Sequence, residues 1–259
     1  MTDLLNKLEI EQFINDGYIK VENIFSADTA KQVREILWED IPFNKQDSST
    51  WIEPVVRLGM YHQKPFIESI NNPKLHALFD QLVGKNKWVP SMAVGSFPVR
   101  FPSNKQPNDL GMHVDTSFPG DDPSNFFEWK ANIKSKGRGL LMLILYSDVS
   151  IDDAPTVICK GSHIGVAQLL RNEGDRGLSF MEIANKLDTL PTYEQVYATG
   201  KAGTIYLCHP FLVHSAQAHK GSNPKFMAQP PLLLKRELTI SDSDVGYSPV
   251  EQAIRLAIK

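Results

Sequence analysis

Apolar positions along this chain change their rhythm near residue 88. Before that point they recur with a helical period. Leu8, Ile10, Phe13 and Ile14 predict a short helix over 8–15 that ends before Gly17, and Tyr18-Ile-Lys-Val21 then alternates as a strand. A second helix follows, with Ser26 as N-cap, Asp28 in the first turn where the macrodipole favours an anion, and Val33, Ile36 and Leu37 forming a stripe through Trp38. That stripe should pack on the outside of a sheet. A third helix runs from Lys74 to Val83, opened by Asn72-Pro73 and closed by Gly84. Residues 40–70 show no sustained period, and Asp47-Ser-Ser-Thr50 reads as a turn, so irregular structure is expected there.

From Trp88 to Phe101 the chain is rich in β-branched and aromatic residues broken by proline and glycine, the texture of strands near a sheet edge. Further strands are predicted over Leu140–Tyr146 and Thr156–Cys159, over an alternating Gly203–Cys208, and from Lys225 to Ala228 before Pro230-Pro231 interrupts. Three helices break this series: one capped by Ser162 with Val166, Leu169 and Leu170 on its apolar face, one over Phe180–Leu187, and one over Pro249–Ile258. Helices thus gather at the start and strands dominate later, and no repeat period is present. The expected fold is α+β and mainly β: an antiparallel jelly roll flanked by helices, in one domain over 1–259 with a helical part at about 1–85 and a jelly-roll core at about 88–240.

Composition narrows the partners. Lys+Arg 27 against Asp+Glu 30 gives a net charge of -3, which supplies no electrostatic footprint for nucleic acid or an anionic membrane, so small-molecule partners are expected. The longest apolar run, Gly139–Tyr146, is far shorter than the roughly 20 residues that span a bilayer, and reads as a buried strand. Cys159 and Cys208 form neither a metal cluster nor a disulfide framework, and read as reduced core residues. The first residues carry charge from Asp3 and no apolar stretch followed by small residues, so a cytoplasmic location is expected.

Two stretches carry candidate chemistry. The first is Gly111-Met-His113-Val-Asp115-Thr, just past a loop marked by Ser103, Asn104, Pro107 and Asn108. The second is His209-Pro-Phe-Leu-Val-His214-Ser, with Pro224-Lys225-Phe after it. His113 and Asp115, two apart on a strand or its edge, point the same way, and a later histidine completes a face of two histidines and one carboxylate. Such a face leaves three octahedral positions open, as in non-haem Fe(II) oxygenases. His209 and His214 are five apart, so on a regular strand at most one can face a metal. His163 and His76 read as structural. Residues 118–138, with Asp121-Asp122, Phe126, Phe127, Trp129 and then Lys130, Lys134, Lys136 and Arg138, read as an insertion over a pocket mouth.

With Pro98-Val-Arg-Phe-Pro102 upstream and Asp152-Asp-Ala-Pro-Thr…Gly161-Ser-His163 between, these stretches together resemble the phytanoyl-CoA dioxygenase family of Fe(II)/2-oxoglutarate oxygenases, over roughly Val94 to Leu233. The resemblance implies a cupin-like double-stranded β-helix, Fe(II) held by His113, Asp115 and His214, 2-oxoglutarate and O2 as cosubstrates, and hydroxylation of a small-molecule C–H bond with release of succinate and CO2. The family's distal histidine is the later one, which places His209 against the barrel wall and His219 in an exposed turn. Its cation for the far carboxylate of 2-oxoglutarate falls on Lys225, with Arg100 a second carboxylate partner and Lys220 the rival. The family usually has arginine at the Lys225 position, so charge pairing is kept while bidentate geometry is lost. Related halogenases lack the ligand carboxylate, which Asp115 supplies here. Two other classes remain: a jelly-roll protein that binds a small molecule without oxidising it, and a Zn(II) hydrolase or isomerase using the same ligands.

Overall fold

The structure, a computed structural model, describes residues 4–241 and 246–259. The first part of the chain runs α1 (Lys7–Asp16), β1 (Tyr18–Val21), α2 (Ala27–Asp40), β2 (Val55–Leu58), α3 (Lys64–Ile70), α4 (Pro73–Leu82) and β3 (Phe97–Arg100). Then come β4 (Lys130–Ala131), β5 (Arg138–Leu145), β6 (Val157–Cys159), α5 (Ser162–Leu170), β7 (Leu178–Ser179), α6 (Phe180–Lys186) and β8 (Gln195–Tyr197). The chain ends with β9 (Ile205–Cys208), β10 (His214–Ser215), β11 (Met227–Ala228), β12 (Pro231–Leu233) and α7 (Pro249–Ile258). No helix among the described residues is long and apolar enough to cross a membrane.

Strand β5 is buried over its whole length because both of its faces meet a core. Leu140, Met142 and Ile144 join the cluster that contains Val33 and Leu37 of α2 and Phe66 of α3, while Leu141, Leu143 and Leu145 join a second cluster with Ile158 of β6 and Met227 of β11. The period of two along a strand therefore builds three layers: helices, a sheet in the order β1-β9-β5-β11 with β12 also on β5, and a smaller sheet β10-β6-β8. All pairings in both sheets are antiparallel.

Local signals in the sequence set the helix ends. Asn6 and Glu9 form a capping box at α1, the Ser26 side chain accepts from the Thr29 N–H at 3.0 Å, and Ser248 with Glu251 boxes α7. Four features differ from the sequence expectations. Residues 40–70 hold β2 and α3; α3 is only two turns, so Phe66 and Ile70 give too short a period to read, and β2 is defined by its pairing with β3. Strand β9 is buried throughout rather than alternating, because it lies between β1 and β5 with a core on each face. Between Trp88 and Phe101 only β3 is a ladder, Trp88 and Val94 making isolated bridges. Gly161, at φ 79, caps α5 instead of Ser162, whose hydroxyl accepts from the Val213 N–H at 2.9 Å and so ties α5 to the segment leading into β10.

His163 and His209 pack against each other, tilted by 43° with ring centroids 4.8 Å apart, close to α1 and α7. Each Nε2 faces a backbone carbonyl, Ile14 at 3.0 Å and Val250 at 3.4 Å, so each ring is neutral with its proton on Nε2. Burial pushes His163 down to about 4 and His209 well below its ordinary 6.5. Between pH 6.5 and 4 the unfolded chain therefore binds more protons than the folded one, and stability falls as pH drops through that window. Urea unfolding at pH 7 and pH 4.5 should show a loss of about 2–3 kcal/mol from His163, and His163→Gln should flatten the dependence.

Candidate metal centre

His113 sits at the end of a loop and His214 on β10, and their backbones pair antiparallel through N–H to carbonyl bonds of 2.9 and 3.0 Å. This bridge brings together residues a hundred positions apart. The Nδ1 of His113 lies 2.9 Å from the Gly111 carbonyl and that of His214 lies 3.0 Å from the Leu212 carbonyl. A carbonyl only accepts, so both protons sit on Nδ1 and both Nε2 lone pairs are free. Each Nε2 points at the same atom, Asp115 Oδ1, at 3.8 Å. The three ligand atoms all lie within 4.8 Å of one another.

These separations are too long for hydrogen bonds, and His214 Nε2 is buried with no partner. Two imidazole nitrogens and one carboxylate oxygen turned toward one point form a donor set for a divalent transition metal. Asp115 is prepared for that role by Arg138, whose guanidinium donates to Oδ2 at 2.8 Å and to the Thr116 carbonyl at 3.2 Å. One oxygen is thus held while the other is left for the ion. Burial raises the carboxyl, but Arg138 first, then His214 and His113, more than offset it and hold Asp115 well below the usual carboxylate range. Burial, with His113 beside it, pushes His214 down to about 4, which keeps its lone pair available at neutral pH.

Arg138→Gln should weaken binding of a divalent metal by about 10–100-fold, as loss of a group that orients a ligand usually does. Competition with a chromogenic chelator measures it, and an unchanged affinity would show that Asp115 needs no such support. From the sequence, Arg138 was one of four basic residues of an insertion over a pocket mouth, with no role of its own at the metal. A charge fixed at the head of the longest apolar run was the signal that could have found it.

The other residues singled out from the sequence lie elsewhere. His209 is buried against Phe13, His163 and Phe211. It is separated from His214 by a turn, with the Leu212 N–H 3.0 Å from the His209 carbonyl, rather than by the alternation of a regular strand. His219 is not exposed: only 6% of it is accessible, and its Nε2 lies 3.9 Å from Asp153 Oδ1. Arg100 and Lys225 are antiparallel bridge partners and both are buried. Arg100 is committed to Asp109 at 2.7 Å and to the Gln217 carbonyl at 3.4 Å. Lys225 instead donates to the Ala154 carbonyl, three residues before β6, the strand that pairs with β10. Burial, with Arg100 second, pushes Lys225 well below its ordinary value against the opposing pull of Asp109 and Asp153. Lys220 is exposed.

A cavity of about 610 Å³ opens beside the centre, with Asp115 and Arg138 in its lining together with Met60, Met92, Pro230 and Leu233. Phe126 of the 118–138 segment also lines it, and that segment is held by pairing of β4 with β7. Neither Met60 nor Met92 carried any signal in the sequence, because each reaches the cavity only through tertiary packing.

No family model and no curated protein matches the sequence. Solved structures do match. HygX from Streptomyces hygroscopicus, with nickel, 2-oxoglutarate and hygromycin B bound, superposes with a TM-score of 0.53 at 15% identity, covering 87% of this chain and 86% of that one. The non-haem α-ketoglutarate-dependent carbocyclase SnoK from nogalamycin biosynthesis gives 0.50 at 16%, covering 89% and 84%. EctD from S. alaskensis in its apoform gives 0.53 at 19%, covering 89% and 76%. The chain shares their fold.

Proposed function

We propose that this chain is a non-haem Fe(II)- and 2-oxoglutarate-dependent oxygenase that hydroxylates a C–H bond of a small molecule, built on a jelly roll of the kind found in the phytanoyl-CoA dioxygenase family. The observation that carries the reading is the convergence of two backbone-oriented Nε2 atoms on one oxygen of a carboxylate whose other oxygen is already held. The iron and 2-oxoglutarate bound to HygX, and the cofactor dependence named for SnoK, support it.

His113, Asp115 and His214 would hold the iron on one face. When bound, Fe(II) with 2-oxoglutarate supplies O2 activation, the keto acid being converted to succinate and CO2 as the substrate is oxidised. Arg138 keeps Asp115 oriented through the cycle by occupying Oδ2. Lys225 would pair with the far carboxylate of 2-oxoglutarate: its ammonium has a carbonyl and no carboxylate at hydrogen-bond distance, whereas the Arg100 guanidinium is already paired. Buried Lys225 would thereby gain a carboxylate in direct contact, where it now has only a carbonyl, Asp109 and Asp153 acting on it from farther away. The apolar cavity walls would reduce the water around a C–H bond bound there.

Anaerobic addition of Fe(II) and 2-oxoglutarate should produce a weak visible charge-transfer band, and air should then yield succinate. Protein that holds one iron yet shows neither band nor succinate would remove the keto acid from this reading, and hydrolysis supported by Zn(II) alone would transfer the site to the hydrolase class.

A further inference from the structure

We infer that the substrate is an uncharged, predominantly apolar molecule bound in the cavity beside Asp115, and that carboxylate, ammonium and phosphate-bearing compounds are turned away. This rests on the proposed function for the meaning of the word substrate, but the binding preference stands on the cavity itself.

The charged groups in the lining are Asp115 and Arg138, and they neutralise each other at 2.8 Å. A carboxylate entering there would face Asp115 with the Arg138 guanidinium already shared between Asp115 and the Thr116 carbonyl. An ammonium would find Asp115 Oδ2 held by Arg138 and could reach Oδ1 only in place of the metal. Either ion would be buried without a partner, which costs far more than burying a neutral group. Among the described residues the lining holds no lysine and no second arginine to receive a phosphate.

The rest of the wall suits an apolar body. Met60, Met92, Pro230 and Leu233 present carbon and thioether surface. Met60 and Met92 are 68% and 81% exposed, so two flexible side chains stand at the mouth, able to adapt to and cover a hydrocarbon. The polar handles are neutral: the Gln229 carboxamide and the Ser96 hydroxyl make no hydrogen bond within the described protein, and each can meet a hydroxyl, ether or carbonyl oxygen. A volume of about 610 Å³ lies within the usual range for sites that enclose a whole small molecule.

A matched series tests this: 3-cyclohexylpropanol, methyl 3-cyclohexylpropanoate, 3-cyclohexylpropanoate and 3-cyclohexylpropylamine, titrated calorimetrically into iron-loaded protein with 2-oxoglutarate under argon and into metal-free protein. The alcohol and ester should bind, and the acid and amine should bind at least about tenfold more weakly. Leu233→Lys, at a half-exposed wall position, should strengthen the acid relative to the ester. Equal or tighter binding of the acid or amine in the unsubstituted protein, failure of all four to bind, or an unchanged order in Leu233→Lys would each overturn the inference. If the neutral compounds bind in this order but none is oxidised and no succinate forms, the cavity assignment survives and the oxygenase reading fails.

Discussion

His214→Ala and Asp115→Ala are each expected to abolish iron retention and reduce turnover to background, yet to differ sharply in the stability of the metal-free protein. The imidazole at 214 contributes a hydrogen bond from Nδ1 to the Leu212 carbonyl, but its Nε2 is buried and unpaired, an arrangement that disfavours the metal-free fold. Removing the ring should therefore cost little stability when no metal is present. Asp115 is different because it neutralises Arg138, a guanidinium that is itself buried. Asp115→Ala leaves that cation without its counter-ion and should cost about 3–5 kcal/mol in urea unfolding. Asp115→Asn keeps the shape and part of the hydrogen bonding, and should sit between. In the unsubstituted protein, iron at a hundred times its dissociation constant should add about 2.7 kcal/mol, an increment absent from all three variants. His209→Ala, removing the ring packed on His163, should lower stability while the iron increment remains. Iron retention in His214→Ala with its loss in His209→Ala would transfer the ligand role to His209.

Lys225→Ala should raise the apparent Michaelis constant for 2-oxoglutarate by one to several powers of ten. Truncating one member of a desolvated charge pair costs about 2–5 kcal/mol, at roughly 1.4 kcal/mol per tenfold. Lys225 is 1% exposed and hydrogen-bonded to a lone carbonyl, so its removal from the empty protein should be tolerated, and Lys225→Met, which keeps the volume, separates packing from charge. Lys225→Arg should be milder, although a longer planar head must find room beside Arg100. Lys220→Ala, at an exposed position, should leave the constant unchanged. The lowered ammonium pKa adds a direction: bound carboxylate favours the charged form, so 2-oxoglutarate affinity should weaken as pH rises and binding should take up protons in buffers of differing ionisation enthalpy. A constant unmoved in Lys225→Ala would remove this residue from the cosubstrate site.

How far the chain can be read without its structure depends on the range over which each feature is decided. Helices α1, α2, α4 and α7 and strand β1 were legible to within a residue or two, because the caps Asn72 and Ser26, the opening Pro249 and the spacing of apolar side chains act within a few positions. His113 and Asp115 could be singled out because metal ligation needs particular residue types, visible wherever they fall, whereas those types left His209 and His214 both open and only the family resemblance favoured the later one. What the chain alone left open was decided by contacts between distant segments. The burial of β9 on both faces comes from its neighbours β1 and β5. The turn after His209 turns that ring toward His163, and the backbone bridge from 113 to 214 aims two imidazoles at one oxygen. Arg138 became part of the site through a partner 23 residues away, and Lys225 was buried opposite Arg100 by strand pairing across more than a hundred positions. Local backbone preferences are carried by neighbouring side chains and so by sequence, whereas the environment of a charge is a sum over everything packed around it, which exists only once the chain has folded.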